Sequence, residues 1–299
     1  MLKQDPKDYK KILLKLAVSF TLLTIILLSV DKEVLLNNLS KVNLWYVPLI
    51  ILLIILNYVV SSFRWKQLLI FEKSEKATLQ YLINLYFIGS FFNNLMPTSI
   101  GGDVYKVVKL GKKIDSNVNA FSATFMERFT GVLVLILISL VSMYNLIGVY
   151  VFPIIFLFIL SIWLGLLVLK FLGKKFKFFT KIYDSLSVYK NSKNIVVTAL
   201  LSSLVVQLIA ILTQYFVFAS LGVAIPLMYA MLVLPFITLA GFFVPSLNGI
   251  GVQDALYISM FSFVGIPAEI CLSASILYHM FRMFVSLIGG VLYAMGKAE

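Results

Sequence analysis

The chain is short of charge, cysteine and histidine. Only 13% of its 299 residues are charged, and its mean hydropathy is +1.00. Soluble domains carry roughly 25% charged residues, so an ordinary soluble domain is excluded. One cysteine, Cys271, rules out an intramolecular disulfide. One histidine, His279, with no Cys/His cluster, argues against a zinc site; no metal or cofactor is expected. Residues 224–268 contain no lysine or arginine at all. What the chain does have is 61% hydrophobic residues in long apolar runs, which is the composition of an all-α polytopic membrane protein. The net charge of +12 comes from basic residues in short segments between those runs. That is the pattern of positive-inside loops and not of a nucleic-acid surface.

Residues 1–15 are polar and basic, and an apolar run follows from Leu16 to Val30. No small-residue cleavage pattern comes after it, so it reads as a retained first span with a cytoplasmic N-terminus. Leu44–Ser62 reads as the second span, and Arg64, Lys66, Lys73 and Lys76 mark its inner end. Val118–Ile147 runs outward, Gly148–Pro153 is an uncharged outer turn, and Ile154–Leu172 returns. Residues 173–194, rich in lysine, form a cytoplasmic loop. Ile195–Ser220 goes out, with Gln207 and Gln214 on one face as interhelical hydrogen-bond donors or acceptors. Ile270–Met295 is the last span, and Lys297 places the C-terminus inside.

Two stretches between these spans are broken. Asn93–Lys106 reads NNLMPTSIGGDVYK, with Asn94 just before Pro97. Pro97 ends a helix, Gly101 and Gly102 permit close backbone approach, and Asp103 is a carboxylate where one is costly. Basic residues flank residues 77–110 on both sides. The economical reading is a re-entrant hairpin; the other is a complete third span followed by a short fourth. Residues 224–268 hold the second copy, with Pro245, Gly249, Gly251 and Asp254. Each copy shows Pro-x3-Gly, then an aspartate, then a span bearing arginine, Arg128 or Arg282. The fold expected is six full spans with two oppositely directed hairpins. They form an inverted repeat over about 44–147 and 195–296, linked by span 154–172 and the basic loop 173–194 in a single membrane domain.

At these residues the sequence resembles a known family. NNLMPTSIGGDVYKVVKL, ERFTG and PSLNGIGVQDAL are similar to three signatures of the flippase-like membrane domain of lysylphosphatidylglycerol synthases, a family that also has stand-alone members. Lys106 stands where the family usually has arginine. Asn248-Gly249-Ile250-Gly251 with Asp254 replaces a Gly-Gly-x-Gly and glutamate. Tyr278-His279 replaces a tyrosine-arginine pair, with Arg282 three residues on. The resemblance implies a lipid-translocating fold in the cytoplasmic membrane of a prokaryote. The synthases use a separate soluble domain for aminoacyl transfer, which this sequence does not show, so the chain is not expected to be an enzyme.

The candidate substrate-binding residues are Asp103, Lys106, Glu127, Arg128, Asp254, His279 and Arg282. Arg128 and Arg282 suit a lipid phosphate, against a plainer reading of Arg128 as snorkelling to the interface. Asp103 and Asp254 suit a cation or proton, against capping of the helix that follows. Lys106 is a phosphate contact or an inner-loop lysine. Glu127 points about 100° away from Arg128 and is expected to pair with another helix, with Lys106 the candidate. His279 can titrate near neutral pH or hydrogen-bond structurally. Arg64 and Lys66 read as inner anchors. The function expected is movement of a phospholipid or polyprenyl-phosphate-type lipid between leaflets by alternating access. The alternatives are an embedded lipid transferase, a subunit with a lipid-modifying or glycosylation enzyme as partner, and a small-solute transporter with a sealed cavity.

Overall fold

The structure is a computed structural model that describes residues 31–95, 101–244, 246 and 248–297, with Thr21, Thr24, Ile25 and Leu28. Pro97 and Pro245, read above as helix breakers, and most of the first apolar run lie outside the described residues. The helices are α1 (Lys32–Ser40), α2 (Val47–Gln67), α3 (Leu79–Leu95), α4 (Gly101–Lys113), α5 (Asn117–Ser142) and α6 (Val151–Gly173). They continue as α7 (Lys177–Ser187), α8 (Lys193–Ser220), α9 (Leu227–Phe243), α10 (Val252–Ser262) and α11 (Ala268–Ala294). There is no strand among the described residues.

Local chemistry sets the starts. Asp31 accepts the N–H groups of Glu33 and Val34, Asn43 that of Trp45, and Ser116 that of Asn119. Pro226 and Pro267 stand immediately before α9 and α11, where a missing N–H is harmless. Four helical stretches are long and apolar enough to cross a membrane: Leu44–Gln67, Asn117–Gly173, Lys193–Ser220 and Ala268–Ala294. The second holds α5 and α6, separated by a single helical turn, Tyr144–Ile147, and by Gly148 with φ +57°.

The basic segments gather at one end of the molecule. Lys73 and Lys76 pair with Asp115 at 3.2 and 2.9 Å. Hydrogen bonds from Lys76 and then Lys73 hold the exposed Asp115 carboxyl below its usual range. The Tyr189 hydroxyl donates to the Leu68 carbonyl at 2.8 Å, and Asn84 donates to the Lys297 carbonyl at 3.4 Å. The chain leaves this end along α3 and returns to it along α4, as the Asp115 bridges and the bond from Tyr81 to the Lys109 carbonyl show. The second broken stretch does the same from the other end: Tyr229 at the start of α9 donates to the Met260 carbonyl near the end of α10 at 2.5 Å. That end is also where Asn43 N–H meets the Ser220 carbonyl at 2.8 Å.

Helices α2, α3, α4 and α5 pack in series, and so do α8, α9, α10 and α11; α3 packs on α11, α9 on α5, and α2 on α8. One segment differs from the sequence reading. Residues 173–194 are not simply a loop: α7 forms within them, and Thr180 donates to the Gly173 carbonyl at 2.6 Å to fix its start.

Glycine is required where α3 meets α4. A Cβ on Gly102 would lie 1.9 Å from the Gly89 carbonyl oxygen, a backbone atom that cannot swing aside. Gly165, on α6, has nothing within 4 Å. Gly102→Val is therefore expected to destabilise the protein by roughly 3 kcal/mol or abolish folding, and Gly165→Ala to be neutral or stabilising by a few tenths. Thermal unfolding of purified protein checks both. Equal melting temperatures for Gly102→Val and wild type would contradict the close approach.

Candidate functional site

Three helices bring five alternating charges together. Asp103 and Lys106 lie one turn apart on α4, so they share a face, and Lys106 Nζ sits 3.1 Å from Asp103 Oδ1. Glu127 and Arg128 come from α5. Arg128 pairs with Asp103 Oδ2 at 2.6 Å, and Lys106 lies 3.6 Å from Glu127 Oε2. Arg64 reaches in from α2 and binds Glu127 Oε1 at 2.8 Å. The order is Arg64, Glu127, Lys106, Asp103, Arg128.

Burial makes this arrangement demanding. Glu127 is 0% exposed and Lys106 only 2%. A buried ion is tolerated when it is paired and hydrogen-bonded, and each has additional partners. Tyr86 donates to Glu127 Oε1 at 2.7 Å. Lys106 Nζ lies over the rings of Tyr86 and Trp65, at 4.1 and 4.9 Å from their centroids. Arg64 also donates to Ser203 Oγ at 2.9 Å.

The ribbon forms one wall of a cavity of about 250 Å³. Arg282 enters the same space from α11 and makes no ion pair among the described residues. Four cations thus face two carboxylates, and two positive charges are left unbalanced. Arg128, in the cavity lining, has a side chain that is 38% exposed and lies 5.7 Å over the Phe242 ring. The tips of the two broken stretches meet at its edge: Asn248 donates to Asn94 Oδ1 at 2.5 Å, and Asn94 donates to Ser286 Oγ at 2.7 Å. Asn93 accepts the Gly102 N–H at 2.7 Å and holds the α3–α4 connection.

Asp103, Lys106, Glu127, Arg128, Arg282 and Asn94 all line the cavity, whereas Asp254 and His279 do not. Asp254 Oδ2 accepts the Gly251 N–H at 2.7 Å and caps α10, while Oδ1 faces His279 Nε2 at 3.7 Å. Gly101 begins α4; Gly249 and Gly251 take φ of +92° and +86° in the turn before α10. Arg64 and Lys66, read alike as anchors, part company. Lys66 caps the Ala77 carbonyl at 2.6 Å, but Arg64 is buried in the site. The sequence signal for Arg64 was the polar run Asn57, Tyr58, Ser61, Ser62 at helical spacing before it, which marks an inward face. Tyr58, Tyr86 and Gln207 also line the cavity and were not singled out as site residues. Gln207 donates to the Gly131 carbonyl at 3.3 Å, and Gln214 accepts from Tyr257 at 2.5 Å, both across helices.

Glu127 answers two cations and a phenol, so its loss leaves more unpaired than the loss of Arg64. Glu127→Ala is expected to cost about 3–5 kcal/mol and Arg64→Ala less, read as apparent melting temperatures in detergent. A Glu127→Ala protein as stable as wild type would contradict the buried network.

The family described as the lysylphosphatidylglycerol synthase TM region has a model that matches residues 12–290, nearly the whole chain. No curated protein matches the chain.

Proposed function

The chain belongs to the lysylphosphatidylglycerol synthase transmembrane family, and from that premise we propose that this multi-pass membrane protein moves an anionic-headed lipid between leaflets. The observation that carries the reading is the excess of two cations in the cavity. Arg128 and Arg282 are the natural phosphate ligands, since a guanidinium presents two parallel donors to phosphate oxygens. Asp103 holds Arg128 in place and leaves the far side of its guanidinium for the ligand. A volume of about 250 Å³ suits a phosphate with a small polar group, so the tails stay in the bilayer. The partial exposure of Arg128 beside Phe242 supports a head-group route to the bilayer over a sealed small-solute site.

In this reading the basic end is cytoplasmic by the positive-inside rule. Helices α3 and α4, with 17 and 13 residues, and α9 and α10, with 17 and 11, are re-entrant. The longest of these spans about 25 Å at 1.5 Å per residue, short of a hydrocarbon core of about 30 Å. The halves 44–147 and 195–296 are an inverted repeat, and alternating access follows from rocking one hairpin against the other.

A vesicle assay tests this. Protein is reconstituted with a tail-labelled anionic phospholipid, and the fraction quenched by a membrane-impermeant reductant is followed over time. Wild type is expected to expose inner-leaflet lipid at least tenfold faster than Arg128→Ala/Arg282→Ala. Equal rates in wild type, the double variant and protein-free vesicles would overturn the reading.

A further inference from the structure

A second buried polar group lies outside the cavity lining. Asp254 is 1% exposed. Its Oδ1 and the facing His279 Nε2 are each without a hydrogen-bond partner, at 3.7 Å from one another, a gap too long for a hydrogen bond. The fully buried Ser275 Oγ, one turn before His279 on α11, also has no partner. A carboxylate is thus held on one side by a helix N-terminus and left open on the other, towards an imidazole.

Register shows what this pair is. Asp103 is the third residue of α4 and Arg128 the twelfth of α5. Asp254 is the third residue of α10 and His279 the twelfth of α11. The two halves place the same aspartate against the same helix position. In one copy the position carries a guanidinium, charged at every physiological pH. In the other it carries an imidazole, whose charge depends on pH.

We propose that Asp254 and His279 form a proton-binding site that couples proton uptake to the contact between the hairpin tips. The coupling role rests on the transporter reading above; the shared proton does not. Without the proton the pair carries one buried negative charge, which the Gly251 N–H and the α10 N-terminus offset. A proton taken from water onto the imidazole makes a neutral ion pair and draws Asp254 towards His279, loosening its hold on Gly251. Asn248 lies three residues before Gly251 and makes the bond to Asn94, so loosening the cap releases the tips. The charged groups acting on His279 are Asp254 from α10 and Arg282 on its own helix. Tyr257 is the titratable neighbour of Asp254, with Tyr278, Cys271 and Arg282 acting in turn on Tyr257, and Tyr58 of α2 acts on Arg282. Helices α1, α3 and α8, which also pack on α11, bring no charged side chain to His279 among the described residues.

His279 is the chain's single histidine, so imidazole-labelled protein in nanodiscs gives one set of nitrogen NMR signals. Wild type is expected to show a single protonation step. Asp254→Asn, which keeps an oxygen for the Gly251 cap but removes the charge, should displace that titration by about one unit or more towards lower pH. A histidine that does not titrate, or one unmoved by Asp254→Asn, overturns the shared proton. In a Cys271→Ser background with an added oxidant, the disulfide yield of Asn94→Cys/Asn248→Cys should fall severalfold more on acidification when His279 is present than in His279→Gln, which keeps only the ordinary loss of thiolate. An equal fall with His279 and with His279→Gln, with the titration as expected, overturns the coupling. Neither readout uses lipid transport, so failure here and failure of the lipid reading are told apart.

Discussion

Glu127 is completely buried, and its carboxyl group is met by Arg64, Lys106 and Tyr86. That constraint organises the site. A lone carboxylate in an apolar bundle is costly, so each of its partners has to be delivered by a different helix: Arg64 from α2, Tyr86 from α3, Lys106 from α4. Helix α4 can deliver Lys106 only if it lies against α3, and it does so because Gly89 and Gly102 carry no side chains between them. Asp103 then follows one turn away and recruits Arg128. The cavity is what remains between this ribbon and Arg282.

Asp103 and Asp254 hold the same position in their helices but face different partners. The first half ties its aspartate into a permanent ion pair at 2.6 Å, facing the cavity; the second leaves its aspartate against a histidine at 3.7 Å, away from it. A fixed charge suits holding an anion, whereas a titratable one suits switching. Sequence alone pairs Arg128 with Arg282, because both are arginines in spans after a break. Helix register pairs Arg128 with His279 and leaves Arg282 as an extra cation in the cavity.

Much of the helical pattern is readable without coordinates, because apolar runs, basic segments and glycine-aspartate breaks are local signals. The helices after the breaks, the turn at Gly148 and the pairing of Glu127 with Lys106 follow from such signals. What stays hidden is long-range. Arg64 and Lys66 stand two residues apart and share a charge; the polar run before Arg64 marks an inward face, but nothing local says that its partner is Glu127, 63 positions away. The bond between Asn94 and Asn248 joins residues 154 positions apart. Helix α7 forms inside a lysine-rich stretch whose charge masks its apolar face. The two aspartates stand at different spacings from their glycines, yet occupy the same helix position, and only their neighbours separate capping from ion pairing.

The central claim is that the unbalanced cations of the cavity hold an anionic head group, and lipid mass spectrometry of protein purified in mild detergent tests it most directly. Wild type and Arg128→Ala/Arg282→Ala are compared with the bulk membrane they came from. The account predicts one class of anionic lipid enriched in wild type and reduced to the bulk proportion in the variant. Bulk composition in both samples would contradict it.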